Sequence, residues 1–345
     1  MAGGRFRHIL RSAAILAGIA AGLAAPAAGI AGELLSQGQP VSLRTKAIET
    51  FRIGHEDRRF GKLTFLGGLE LLASDPEIGG LSGLVTLEGG EAFLAATDHG
   101  HWVSGRIAQT PEGAPLEVSD VRMAPLLGAD GRTLKARWGH DTEALALAGS
   151  GLYVTAETKN AIYRYPWPLA TGQEHMLGEL ALAQDIRALP RNTGLEALAA
   201  APDDSPLAGN LIAVAESSAG EGLDLQGYII GPEGTERFKI RRQDGFDATD
   251  AAYLPDGDLL LLERRFNLVD LIGLRLRRFP GQAVKPGALL EGELLLEADF
   301  GYQIDNMEAL AVHRNEGGDT ILTLLSDDNR SFLQRTVLLR FRLDP

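Results

Sequence analysis

Cysteine is absent from the 345 residues, which excludes disulfide staples, thiolate metal sites and cysteine nucleophiles. Aromatic residues are scarce at 6%, and nowhere do they interleave with basic residues as a nucleic-acid surface would require. Basic charge is in the minority, 33 Lys and Arg against 46 Asp and Glu, a net −13. Such a chain repels nucleic acid and anionic lipid and attracts cations. Helical periodicity is missing over any stretch long enough to build a helical solenoid. There is no His-Glu-x-x-His zinc helix and no Gly-Lys-Ser/Thr phosphate loop. Gly80-Leu81-Ser82-Gly83 is not a nucleophile elbow, because Leu84 stands where the closing glycine belongs. A Ser-His-Asp esterase is therefore poorly supported.

What is present begins with a basic start at Arg5, Arg7 and Arg11, an apolar run from Ala13 to Leu23, and small residues after it. That layout predicts a secretory signal peptide over residues 1–31, cleaved after Ala27 or Ala31, and a periplasmic or secreted mature protein. Loss of those three arginines would leave a net charge of −16. Residues 32–61 read as a polar, turn-rich leader that becomes ordered near Lys62. Residues 62–345 read as one domain, and 45% hydrophobic residues supply a large core without disulfides. A monomer is expected, free of nucleic acid and, once the signal is removed, of membrane.

A short phrase recurs in that domain: Asp141-Thr142-Glu143-Ala144-Leu145, Gly194-Leu195-Glu196-Ala197-Leu198 and Asn306-Met307-Glu308-Ala309-Leu310. Looser copies are Ala248-Thr249-Asp250-Ala251-Ala252 and Gly80-Leu81-Ser82-Gly83-Leu84. Each is followed, 13 to 20 residues after its third position, by an apolar run closing on another acid: Asp98, Glu157, Glu216, Glu263 and Asp327. Third positions at 82, 143, 196, 250 and 308 give gaps of 61, 53, 54 and 58 residues, the period of propeller blades. Each repeat reads as four short strands; the second is Glu143–Leu147, Leu152–Glu157, Ala161–Trp167 and Gly178–Ala183. The last unit shows three strands before Pro345, and Lys62–Ala73 is the natural donor of its fourth. The expected fold is all-β: a β-propeller of five four-stranded blades, with a sixth left open by the long Val118–Gly139 stretch. Its ring would be closed by the N-terminal strand pairing with the last blade. Small residues in the recurring phrase suit innermost strands, which converge on the axis.

In an antiparallel hairpin the start of one strand lies beside the end of its partner. The first acids (Glu143, Glu196, Asp250, Glu308) and the second acids (Asp98, Glu157, Glu216, Glu263, Asp327) should therefore meet at one mouth of the propeller. So many carboxylates together raise one another's pKa unless cations intervene, and oxygen-only ligation points to a hard ion, Ca²⁺ before Mg²⁺. On this reading the first acids hold metal and water and the second acids support them. Lys159, Arg264 and Arg330 would steady a phosphate, and His99 and His101 are further candidates. The plainer alternative is that each acid bonds a loop amide or a neighbouring cation. Asn192 and Asn306 read as turn formers.

At these same residues, together with Asp98-His99-Gly100, Asp247-Ala248-Thr249-Asp250 and Leu262-Glu263-Arg264, the chain resembles an exported bacterial β-propeller family. This is the phytase-like family, described as having "esterase-like activity of phytase". The resemblance covers most of residues 62–345. It implies that the repeated Glu and Asp residues carry phosphodiesterase or phytase-like activity, with calcium as cofactor and a small anionic phosphoester as substrate. A lactonase or carboxylic-ester hydrolase on the same scaffold is the alternative enzyme. A non-catalytic periplasmic propeller binding a sugar, peptide or protein is the alternative outside catalysis.

Overall fold

Short strands broken by Gly, Pro and Asn cannot bury a face alone, so they gain stability only by stacking as sheets. The computed structural model describes Met1 and residues 34–345, apart from 74, 76, 136–138, 191–192, 217–222 and 268–270. The signal peptide expected over residues 1–31 and the turn expected at Asn192 lie outside the described residues.

Five small, almost wholly antiparallel sheets form the ring of a five-bladed β-propeller. Their innermost strands are Leu81–Leu87, Thr142–Ala148, Leu195–Ala200, Asp247–Tyr253 and Asn306–Arg314, each carrying one copy of the recurring phrase. Each packs on the next around the ring, and Asn306–Arg314 packs on Leu81–Leu87. No sixth blade exists among the described residues: Pro115–Pro125 is an outer strand of blade one, paired with His101–Gln109. Leu63–Ala73 pairs antiparallel with Thr336–Leu343 in blade five.

The segment read as a leader also enters the sheets. Leu43–Ile48 pairs with Leu63–Ala73, and Gln39–Pro40 pairs with the outer strand of blade one. An outermost strand exposes a row of unpaired amides, and that edge is what a polar segment can satisfy. Phe51, fully buried, anchors the leader within 5.0–5.6 Å of the rings of Phe60, Phe65, Tyr302 and Phe341. Among the described residues no helix is long and apolar enough to cross a membrane.

The core lies between blades. Leu260, Leu262, Leu274 and Leu276 of blade four meet Leu322, Leu324 and Leu339 of blade five, all buried. Near the axis there is no room for such side chains. A Cβ on Gly83 would stand 2.8 Å from the Glu143 carbonyl oxygen and 2.9 Å from the Leu145 nitrogen of the adjacent blade. Crowding of this kind selects Gly and Ala in the recurring phrase.

Candidate functional site

Every inner strand carries a β-bulge at the same place, and the bulge sets where the acids point. Leu81 faces Thr97 and Gly83 faces Ala96, leaving Ser82 as the extra residue. In the same way Glu196 is extra between Leu195 and Ala197, and Glu308 between Met307 and Ala309. In blade two Thr142 faces Ala156 and Leu145 faces Val154, so Glu143 and Ala144 share Thr155. The Ala144 amide freed by that bulge donates to Thr155 Oγ1 at 2.9 Å. An extra residue breaks the in–out alternation of the strand and re-aims its side chain.

The following strand ends on the second acid, beside the residue two before the bulge. The Asp98 amide donates to the Gly80 carbonyl at 2.8 Å, Glu157 to Asp141 at 2.9 Å, and Glu216 to Gly194 at 2.9 Å. In blade five Asp327 pairs with Asn306. Gly80 and Asp141 share this position and a left-handed backbone, φ 73° and 74°. Glycine is required in blade one, because a Cβ there would stand 2.0 Å from Asp98 Oδ1.

Blade four breaks the pattern by one residue. Ala248 faces Glu263 and Asp250 faces Leu262, so Thr249 is the bulged residue and Asp247 pairs with Arg264. Thr249 therefore stands where Glu143, Glu196 and Glu308 stand, and Arg264 stands where the other blades carry their second acid. The one-residue shift turns both predicted acids of this blade away. Asp250 accepts the Leu310 amide at 2.7 Å, the Ala251 amide at 2.8 Å and the Leu198 amide, lacing the inner strands of blades three, four and five. Glu263 is fully buried and forms a two-bonded ion pair with Arg277 at 2.6 and 2.5 Å. Its charged neighbours are Arg277, Arg275 and Asp247, none of them a central acid.

Of the other predicted acids, Glu143, Glu157, Glu196 and Glu216 come together, while Asp98 bonds His99 and Asp327 accepts the Asn329 amide at 2.7 Å, in neither group. Carboxylate oxygens of Asp141, Glu143 and Glu157 lie within 4.8 Å of one another, as do those of Glu157, Glu196 and Glu216. Glu157 belongs to both groups. Glu308 joins from blade five, its carboxylate held by Arg264 and Asn306. Arg264 also reaches Glu216 at 3.2 Å. Asn306, read as a turn former, is thus a strand residue bonded to Arg264 and Glu308. Asp141, which could hold a cation with Glu143 and Glu157, is not among the acids that the sequence singles out; its alignment with Asp247 and Asn306, two residues before each bulge, is the signal that marks it.

Burial raises the Glu143 and Glu196 carboxyls well above the usual range, and Glu143 raises Glu196 further. Glu308, Asp141 and Glu157 add to the effect on Glu143, and Glu308, Glu216 and Glu157 to that on Glu196. Asp327 is pushed up to about 7 by burial, with Glu308 and Asp98 adding to the rise against the Asn329 amide. Glu216 is also pushed up to about 7 by burial, opposed by Arg264. Burial raises Glu308 too, opposed chiefly by Arg264.

These shifts have a signed consequence for the metal-free protein. Below pH ~4 the carboxyls are protonated in both folded and unfolded chains, and the stabilisation is fully present. As pH rises through 7 the unfolded chain has already released protons that folded Asp327 and Glu216 retain, so stability is lost. Between pH 5 and 8 in chelator the melting temperature should fall by about 5–10 °C, from a loss of a few kcal/mol. A flat or rising melting temperature over that window would refute the electrostatic picture.

The cationic candidates separate. Only Arg264 stands among the central acids. Lys159 lines a 270 Å³ cavity at the edge of blade two with Tyr163, Glu179 and Arg187. Arg330 lies against Glu77, 3.6 Å away, and donates to its carbonyl. His99 Nδ1 bonds Asp98, and its ring stacks on His140 at 6.2 Å between centroids. His101 is half-buried, its backbone amide donating to Thr97 Oγ1 at 3.1 Å; burial lowers its pKa, against the pull of Glu77.

All-oxygen donors, three to a group, with Glu143, Glu157, Glu196 and Glu216 desolvated enough to hold protons above the ordinary range, fit a hard divalent cation. The fitting set is Asp141, Glu143, Glu157, Glu196 and Glu216; Asp250 and Glu263 lie outside it.

The family model "Phytase-like: Esterase-like activity of phytase" matches residues 76–330. No curated protein matches. Among solved structures, the chain is similar to the glutaminyl cyclase of Myxococcus xanthus, at 13% identity and a TM-score of 0.40, covering 77% of this chain and 92% of that one. It is similar also to a nidogen/laminin complex (11%, TM-score 0.38, covering 84% and 91%). Hydrazine synthase of Kuenenia stuttgartiensis gives 12% and 0.38, covering 72% and 77%. Likeness at this level bears on no activity.

Proposed function

The chain belongs to the phytase-like family, and from that membership we propose that it is a calcium-dependent hydrolase of a phosphate mono- or diester, acting at the acidic mouth. The observation that carries the reading is the pair of carboxylate groups joined at Glu157. Asp141, Glu143 and Glu157 would hold one cation, with Glu196 able to share it. When bound, calcium supplies charge neutralisation of the phosphoryl oxygens and a more acidic water.

The remaining work falls to the chain itself. Glu216, pushed up to about 7, has the proton affinity suited to taking a proton from water near neutral pH. The water oxygen bonds to phosphorus as the ester oxygen leaves, and that oxygen recovers a proton. Arg264, held between Glu216 and Glu308, presents its guanidinium to the phosphoryl group without swinging away. Glu308 and Asn306 fix its orientation.

Purified protein should hydrolyse nitrophenyl phosphate or bis(nitrophenyl) phosphate in calcium and stop on chelation. The same panel should contain acyl esters and lactones. Turnover of those alone would replace the phosphoester reading with the carboxylic-ester one, and an inert panel would favour a binding protein.

A further inference from the structure

One wall of the mouth is not polar. Between blades four and five lies a cavity of about 710 Å³ that begins at Arg264, Glu216 and Asn306 and runs outward past Phe266, Phe300 and Leu333. Those three side chains are 72%, 64% and 78% exposed. Single exposed apolar residues are ordinary, but three on the wall of one cavity form a patch that calls for an occupant. The acids beside them are already partnered. Asp247 pairs with Arg242 at 2.6 Å, and Asp305 accepts the Asn306 and Arg335 amides at 2.9 and 3.0 Å. Beside the neutral polar Asn329, Ser331 and Gln334, the cavity thus offers the hydrocarbon of Phe266, Phe300 and Leu333, together with the guanidinium of the mouth.

We propose that this cavity takes the aryl or long alkyl group of the substrate, so that the enzyme prefers an amphiphilic phosphoester to a polyanionic sugar or inositol phosphate. The inference rests on the function proposed above. It follows from asymmetry: blade four places Arg264, rather than an acid, at the cavity's inner end, so a phosphate entering there leaves its ester group facing Phe266 and Phe300. A polyphosphate would instead set further charge against phenyl and leucyl side chains, which desolvate it without pairing. Among the described residues, Arg264 is the only guanidinium lining the cavity.

The test compares 2-naphthyl phosphate, methyl phosphate and inositol hexakisphosphate in calcium, for the wild-type protein and the Phe266→Ser/Phe300→Ser double variant. Both phenyl rings are largely exposed, so the variant should fold. The wild type should favour the naphthyl over the methyl ester in kcat/KM by at least about tenfold, and the variant should lose most of that ratio. Preference for the hexakisphosphate, or an unchanged ratio in the variant, would overturn the proposal.

If no phosphoester is turned over, the catalytic reading fails, and binding decides the subsite. The probes are then 2-naphthylphosphonate and methylphosphonate, titrated calorimetrically in calcium. Tighter naphthyl binding that the variant loses would uphold the apolar subsite. Equal binding, or none, would reject it.

Discussion

Glu157→Gln is expected to cut phosphoester turnover by about a thousandfold, roughly 4 kcal/mol of transition-state stabilisation, and to abolish the calcium-induced rise in melting temperature. Glu157 is the one carboxylate common to both groups of oxygens, so its loss disables either placement of the cation. Glutamine keeps the shape, and its remaining oxygen still accepts the Gly194 amide, now 3.2 Å from Glu157 Oε1. A Cβ on Gly194 would stand only 2.7 Å from the Glu157 Cγ, so this packing tolerates an isosteric change and little else. Without calcium the variant should melt no lower than wild type above pH 7, because one member of a repelling set has been neutralised. The informative measurements are kcat with saturating calcium and the melting-temperature difference between calcium and chelator. Retention of both within about threefold would remove Glu157 from the site and the cation with it.

Asp250→Ala is expected to act on stability instead. The carboxylate is buried, and alanine would leave the amides of Leu198, Ala251 and Leu310 without an acceptor. Orphaned buried amides cost about 1–3 kcal/mol each, which puts the loss near 5 kcal/mol and the fall in melting temperature at about 10 °C or more. Asp250→Asn retains one oxygen and should recover part of the loss. The separating observation is activity per folded molecule. If Asp250→Asn keeps wild-type kcat while its melting temperature falls, Asp250 is a staple between blades. A large drop in kcat with an unchanged melting temperature would return it to the mouth.

The two predictions share a cause, the register of the inner strand, and it marks where sequence reading held and where it slipped. Copies containing Glu-Ala-Leu were legible because an acid at the start of an alternating small and apolar strand is rare, and its spacing repeats. The sequence aligns blade four on its acid, Asp250, whereas the backbone aligns it on Asp247. Thr249 then takes the bulge, and Arg264 takes the place of a second acid. A shift of one residue in a strand exchanges its two faces, so two carboxylates left the mouth and a guanidinium entered it. The cation on the acidic ring was in the sequence, but its post was not.

Five four-stranded repeats, with a sixth blade left open until the structure assigned Pro115–Pro125 to blade one, and the identity of the inner strand followed from the sequence alone, because period-two patterning and turn residues are local properties that the chain carries wherever it goes. Tertiary structure decided the rest. It chose which acids meet, drew Asp141 into the set, held Lys159 and Arg330 away from them and laid an apolar wall beside the mouth. Those outcomes depend on bulges and on contacts between residues far apart in sequence, and neither can be read until the ring has formed.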